Sequence, residues 1–196
     1  MKPYAASCDE NREPILAVLK NLLHDRHALL EIGSGTGQHA VYFGEAFPQL
    51  TWQTSDQLEY HVGIQAWLAE AQLPNVLEPL LLDVRQATWP GLKVDAVFSA
   101  NTLHIMSREA VQACFAGVER LLPSDGLFIV YGPFNYAGQF TSASNARFDQ
   151  WLKQRDPESG IRNFEDLNLL AANAGMELQA DYEMPVNNRI LVWRKV

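Results

Sequence analysis

The chain has 196 residues, 47% of them apolar and 19% charged, with 15 Lys and Arg against 23 Asp and Glu for a net charge of −8. Length and composition describe a single domain, residues 1–196, with room for a sizeable core, and exclude a disordered or low-complexity chain. The acidic balance, with no cluster of Lys and Arg, argues against binding a nucleic-acid backbone, so the expected partner is a small neutral or cationic molecule.

Cys8 and Cys114 lie far apart without a histidine partner, so neither a disulfide framework nor a metal site is expected, and a reducing compartment is. Neither an apolar leader after Met1 nor any run of eighteen apolar residues is found. The expectation is a cytoplasmic protein without a membrane partner, its oligomeric state left open.

Short apolar runs alternate with stretches of helical period, the pattern of a parallel sheet wrapped by helices. Pro14, in a plausible first turn, and Ile15, Leu16, Val18, Leu19, Leu22 and Leu23 predict an amphipathic helix closed by Asp25-Arg26-His27. Ala28 to Ile32 reads as the first strand, Gln38 to Phe47 as a helix, Leu50 to Thr54 as the second strand and Leu58 to Glu70 as a helix. Val76 to Leu82 is the third strand, short or at an edge because Pro79 cannot donate to a ladder. Val94 to Ser99, the helix Arg108 to Leu122 and the strand Leu127 to Tyr131 follow, then a long polar loop after Gly132-Pro133. Helices near 146–154 and 164–174 precede the strands Leu178–Met184 and Arg189–Arg194, an antiparallel hairpin joined by Pro185-Val-Asn-Asn188. The fold class is therefore α/β: five β/α units, a C-terminal hairpin, and a mostly parallel sheet of seven strands with helices on both faces.

Chemistry concentrates at strand ends. Leu29-Leu-Glu31-Ile-Gly33-Ser34-Gly35-Thr-Gly37 runs a strand into a glycine-rich turn and a helix, where positive φ and free N–H groups let a nucleotide-like cofactor approach the backbone. A dinucleotide fingerprint would place Gly or Ala at position 38, but Gln38 stands there. Asp56, followed by Gln57, ends the second strand about twenty residues after the turn, where a carboxylate can accept both ribose hydroxyls. Asp83-Val84 ends the third. Either aspartate alone also reads as a helix cap or turn residue; an acid at each of three successive strand ends favours a site.

The fourth strand leads into Asn101-Thr-Leu-His104, at the edge where open α/β sheets bind ligands. Asn101 is a candidate for contact with cofactor or acceptor. His104 reads either as a general base or as a partly buried structural histidine. Tyr131 ends the fifth strand, facing a transferred group or completing the core.

The Glu-x-Gly-x-Gly-x-Gly spacing from Glu31 resembles the first motif of class I S-adenosylmethionine-dependent methyltransferases. A closer resemblance, to one small family of methyltransferase-like proteins of about this length, rests on segments spread from end to end. These are Asp9-Glu-Asn11-Arg12-Glu-Pro14, Gly35-x-Gly37-Gln38-His39, Trp52-Gln-x-Ser55-Asp56, Leu82-Asp83-Val84, Asn101-x-x-His104, Tyr131-Gly132-Pro133, Asn145-x-x-Phe148-Asp149, Gly160-Ile-Arg162 and Met184-Pro-x-Asn187-Asn188.

The resemblance implies a Rossmann-like class I methyltransferase fold binding S-adenosylmethionine. Its cofactor set here is Glu31, Gly33, Ser34, Gly35, Gly37, Asp56, Gln57, Asp83, Val84 and Asn101. The acidic residue of the first motif would lie under the glycine loop, and Asp83 would accept from the adenine amine. Catalytic candidates are His104, Asn101 and Tyr131. Asn11, Arg12, Asn145, Arg162, Asn187 and Asn188 are candidates for a small-molecule acceptor pocket, Arg12 foremost; as scaffolding, Asn188 would serve the hairpin turn and Arg162 a surface ion pair. The Asn-Pro-Pro-Tyr type of tetrapeptide is missing after the fourth strand, which disfavours adenine or glutamine amide acceptors. An aminopropyltransferase, a nicotinamide oxidoreductase and a binder of the cofactor or of a partner without catalysis remain as alternatives.

Overall fold

Residues 2–196 are described by a computed structural model. Strands β1 (Ala28–Ile32), β2 (Thr51–Asp56), β3 (Val76–Leu81), β4 (Ala96–Ala100) and β5 (Leu127–Gly132) run parallel. With β8 (Met176–Met184) and β9 (Asn188–Lys195) they form one seven-stranded sheet in the order β3-β2-β1-β4-β5-β9-β8, in which β9 is antiparallel to both neighbours.

Period-two alternation divides the sheet between two cores. Leu29 in β1, Ala96 and Phe98 in β4, and Ile129 and Tyr131 in β5 face α1 (Ala6–Leu22), α2 (Gln38–Ala46) and α3 (Leu58–Ala71). Leu30, Val97, Phe128 and Val130 face α4 (Arg108–Leu121) and α6 (Phe164–Asn173) on the other side. Residues of β1 and β5 are buried on both faces because helices cover both, so they read as continuous apolar runs.

Several local expectations change. The first helix begins at Ala6, and Pro14 lies inside it, not in its first turn. An interior proline costs about 3 kcal/mol, and the complete burial of Ile15 and Leu19 against the sheet offsets it. The expectation for the third strand holds: β3 is an edge strand, and its pairing with β2 shifts between Gln53 and Ser55, where Pro79 interrupts the ladder. The segment after Gly132-Pro133 is not all loop: β6 (Phe134–Asn135) is buried and pairs with β7 (Arg162–Asn163), and α5 (Ala143–Arg155) follows between them. No helix among the described residues is long and apolar enough to cross a membrane.

Candidate functional site

The carboxyl ends of β1 to β4 surround a cleft of about 520 Å³. Its floor is the turn Gly33–Thr36. The Gly33 and Ser34 amides both donate to the Ser55 carbonyl, at 3.1 and 3.0 Å, which folds the turn back over β2. Gly33 has φ +75, and a Cβ there would stand 2.7 Å from the Thr102 side chain; Gly35 has φ +57 with open space above it. A backbone that is left-handed and bare on its cleft side is what close approach of a ligand requires.

Asp56 at the end of β2 takes the Gly35 amide at 2.7 Å on Oδ2 and the Gln57 amide at 2.7 Å on Oδ1. Burial raises its pKa, and those two amides pull it back. Asp83, Val84 and Asn101 also line the cleft. The Asp83 carboxylate is gripped by Arg85, whose Nε donates to Oδ1 at 3.0 Å and whose Nη2 donates to Oδ2 at 2.7 Å, and this pairing lowers the Asp83 pKa. Asn101 is left-handed at φ 55, with its amide donating to the Tyr131 carbonyl at 2.9 Å.

Two members of the expected cofactor set stand outside the cleft wall. Glu31 lies beneath the turn, where its Oε2 accepts from Ser34 Oγ at 2.8 Å and from Trp52 Nε1 at 3.0 Å. Burial pushes its pKa up to about 7, against the pull of those donors. Gly37 has φ +90, and a Cβ there would stand 3.0 Å from the Ile64 Cα, so it serves the packing of α2 on α3.

The other candidates separate. Tyr131 is buried on the α1 side of β5, with the Asn11 and Asn188 side chains near its hydroxyl, and burial raises its pKa against their pull. Asn11 also pairs with His39, Oδ1 to Nε2 at 2.7 Å. Asn187 and Asn188 line a second hollow of about 480 Å³ with Thr141 and Met184. Asn145 is buried behind it, donating to Thr141 Oγ1 at 2.9 Å and to the Asn187 carbonyl at 3.2 Å.

His104 does not line the cleft; its ring packs edge-on against Phe148 at 5.2 Å, and burial, helped by the Arg162 charge, lowers its pKa to about 4. Arg162 is a clamp: its guanidinium donates to the carbonyls of Leu103, Met106 and Glu158. Arg12, expected foremost in the acceptor pocket, lines neither hollow. It lies in α1, pairs with Asp9 at 2.6 Å and covers the Tyr42 ring, which accounts for its charge there.

Sequence reasoning missed the part of the cleft wall formed by Ala5, Ser7 and Cys8 at the start of α1, and by Asp156 and Glu158 after α5. The segments Asp9-Glu-Asn11 and Gly37-Gln38-His39 were the available signal, since Asn11 pairs with His39 and Gln38 with Ala5, which brings α1 to the turn. Among the described residues there is no group of acids, histidines and cysteines that could hold a metal ion.

A sheet of this strand order with one antiparallel strand beside β5 is the Rossmann-like fold of class I methyltransferases, and solved structures agree. An O-methyltransferase family protein from Burkholderia thailandensis matches with a TM-score of 0.83 at 15% identity, over 93% of this chain and 55% of that one. An O-methyltransferase family 2 protein from Planctomyces limnophilus, in complex with apigenin, matches with a TM-score of 0.84 at 16% identity, over 98% of this chain and 58% of that one. An O-methyltransferase from neocarzinostatin biosynthesis, in complex with S-adenosylmethionine and 2-hydroxy-5-methyl naphthoic acid, matches at 0.79 and 16% identity, over 97% of this chain and 55% of that one. This chain spans little more than half the length of each, and at such identity the likeness shows the fold. The family model described as "Protein of unknown function (DUF938)" matches residues 2–195, and the chain belongs to that family.

Proposed function

We propose that the protein is an S-adenosylmethionine-dependent methyltransferase acting on a small-molecule acceptor. The observation that carries this reading is the tie between Gly35 and Asp56 at 2.7 Å, which sets a bare glycine turn and a carboxylate side by side on one cleft with Asp83-Val84 at the next strand end. The donor set fits the cofactor. Asp56 retains lone pairs for ribose hydroxyls, Val84 offers an apolar surface to the base, and the acids Asp56, Glu59, Asp83, Asp156 and Glu158 outnumber the cation Arg85 around the cleft, which suits a cationic ligand. The solved neighbours that carry S-adenosylmethionine or S-adenosylhomocysteine support the same choice.

S-adenosylmethionine, when bound, supplies a methyl group already activated by its sulfonium centre. The protein is left to hold and align. Such positioning is worth up to about 7–11 kcal/mol of barrier. Asp56 would anchor the ribose, the turn Gly33–Gly35 would admit the sulfur-bearing chain, and Asn101 would stand beside the acceptor. Tyr131 lines neither hollow, and because burial raises its pKa its hydroxyl keeps its proton, so it is not a base. We place the acceptor between Asn101 and the second hollow lined by Asn187 and Asn188, with Asn145 holding that hollow's wall. His104, buried and neutral above its lowered pKa of about 4, lines neither hollow and serves the packing of α5 through Phe148 in our reading.

Titration calorimetry with S-adenosylmethionine and S-adenosylhomocysteine tests the binding half, and absence of heat with folded protein would overturn it. Transfer of tritium from methyl-labelled cofactor into a small-molecule extract tests the other half. Binding without transfer would favour a non-catalytic cofactor-binding protein on the same fold.

A further inference from the structure

Gln38 stands where a dinucleotide turn would have a small residue, and the proposed function gives its side chain no role. The structure shows its work. Its buried carboxamide faces the Ala5 peptide from both sides: Oε1 accepts the Ala5 amide at 2.7 Å, and Nε2 donates to the Ala5 carbonyl at 3.3 Å. Trp67 Nε1 holds the same segment further out, donating to the Pro3 carbonyl at 2.7 Å, and Lys2 lies over the Trp67 ring while pairing with Glu70. Gly63 makes room for this segment, since a Cβ there would stand 2.6 Å from Pro3 Cγ. Residues 2–5 are thus a strap fastened to α2 and α3, and Ala5 with Ser7 and Cys8 of the first turn of α1 is one wall of the cleft beside Gly33–Thr36.

Sheet order, taken with the proposed placing of ribose and base, sets which end of a ligand meets the strap. Asp83 and Asp56 end β3 and β2, the outer strands on this side, and the strap lies past them over the β1 turn. A nucleoside with its ribose on Asp56 and its base toward Asp83 extends its 5′ substituent under Ala5, Ser7 and Cys8. We propose that Gln38, through the strap it fastens, selects ligands by their 5′ substituent, admitting and retaining a nucleoside that carries an aminoacyl thioether chain. Gln38 is a positioning residue: it does not line the cleft and acts through the strap, while the same Oε1 also accepts from Thr36 Oγ1 of the turn at 3.1 Å. The inference rests on the cofactor reading above.

The test compares S-adenosylhomocysteine with 5′-methylthioadenosine, which shares the nucleoside and sulfur but lacks the aminoacyl arm, on wild type and on Gln38→Ala. Removing two hydrogen bonds from the strap weakens S-adenosylhomocysteine about tenfold, chiefly through faster release, and leaves 5′-methylthioadenosine within about twofold. Trp67→Phe, which loosens only the outer tie, shifts S-adenosylhomocysteine in the same direction by less, and it carries the test if Gln38→Ala does not fold. Equal weakening of both ligands, or no change in either, overturns the role of the strap. Failure of wild type to bind S-adenosylhomocysteine overturns the cofactor reading itself, and the inference with it, a result separable from the first because it appears before any substitution is made.

Discussion

The Gly35 amide donates to Asp56 Oδ2 at 2.7 Å, so the tip of the glycine turn and the end of the neighbouring strand are one unit. The carboxylate we propose for the ribose also sets the shape of the turn. Asp56→Ala loses both functions and is expected to weaken S-adenosylhomocysteine by at least about tenfold, since a hydrogen bond to a charged group is worth about 1.5–3 kcal/mol. Asp56→Asn, which can still accept from Gly35, should lose less. Calorimetry checks the order, and equal loss for the two variants would refute the shared role.

Two glycines of the turn separate stability from binding. Gly33→Ala drives a methyl group to 2.7 Å from Thr102 at a positive φ, whereas Gly35→Ala meets open space at a similar φ. Gly33→Ala is expected to cost about 1–3 kcal/mol more in urea unfolding. Gly35→Ala stays closer to wild type in stability and loses ligand affinity, because its methyl group occupies the cleft floor.

Glu31 predicts a pH dependence with a definite sign. Its pKa of about 7 in the fold lies above the ordinary value of 4.5, so between these limits the folded protein holds the proton more tightly than the unfolded chain. This group's contribution to stability therefore falls as pH rises from about 4.5 to 7 and is level above that. Glu31→Gln keeps acceptors for Ser34 and Trp52 and abolishes the titration. The stability of Glu31→Gln relative to wild type should increase between pH 5 and pH 8, by at most about 3 kcal/mol, as measured by urea unfolding at both values. A constant difference would show that Glu31 is ionised at both.

Arg162 spans three carbonyls with one planar group. A lysine ammonium cannot reach all of them, so Arg162→Lys is expected to destabilise by about 2–4 kcal/mol and to raise hydrogen exchange in residues 103–107. Because this side chain lies outside both hollows, affinity for S-adenosylhomocysteine in the folded variant should fall less than for Asp56→Ala. A loss as large, with unchanged stability, would place Arg162 in the site.

Strand composition and turn chemistry are local, and these were legible. The apolar runs of β1 and β5 follow from strands buried on both faces, and the glycines after Glu31 and the acids at positions 56 and 83 come together at one cleft at the strand ends. Arg12 and Asn11 show where such reading stops: one turn of α1 holds both, yet the first pairs with Asp9 and the second reaches His39 and Tyr131. Nothing in their spacing distinguishes them, because the difference lies in which neighbour each faces.

By itself the chain's pattern determined the α/β class, the strand sequence, the hairpin and the place of the glycine turn, since side-chain periodicity and backbone freedom are properties of adjacent residues. Only the tertiary structure decided that Gln38 fastens Ala5 beside the cleft, that Arg162 is spent on carbonyls, and that Asn187 and Asn188 open on a second hollow. Those outcomes depend on contacts between segments 33 to 59 residues apart, as between Gln38 and Ala5 or Arg162 and Leu103, and such contacts exist only once the sheet has brought the segments together.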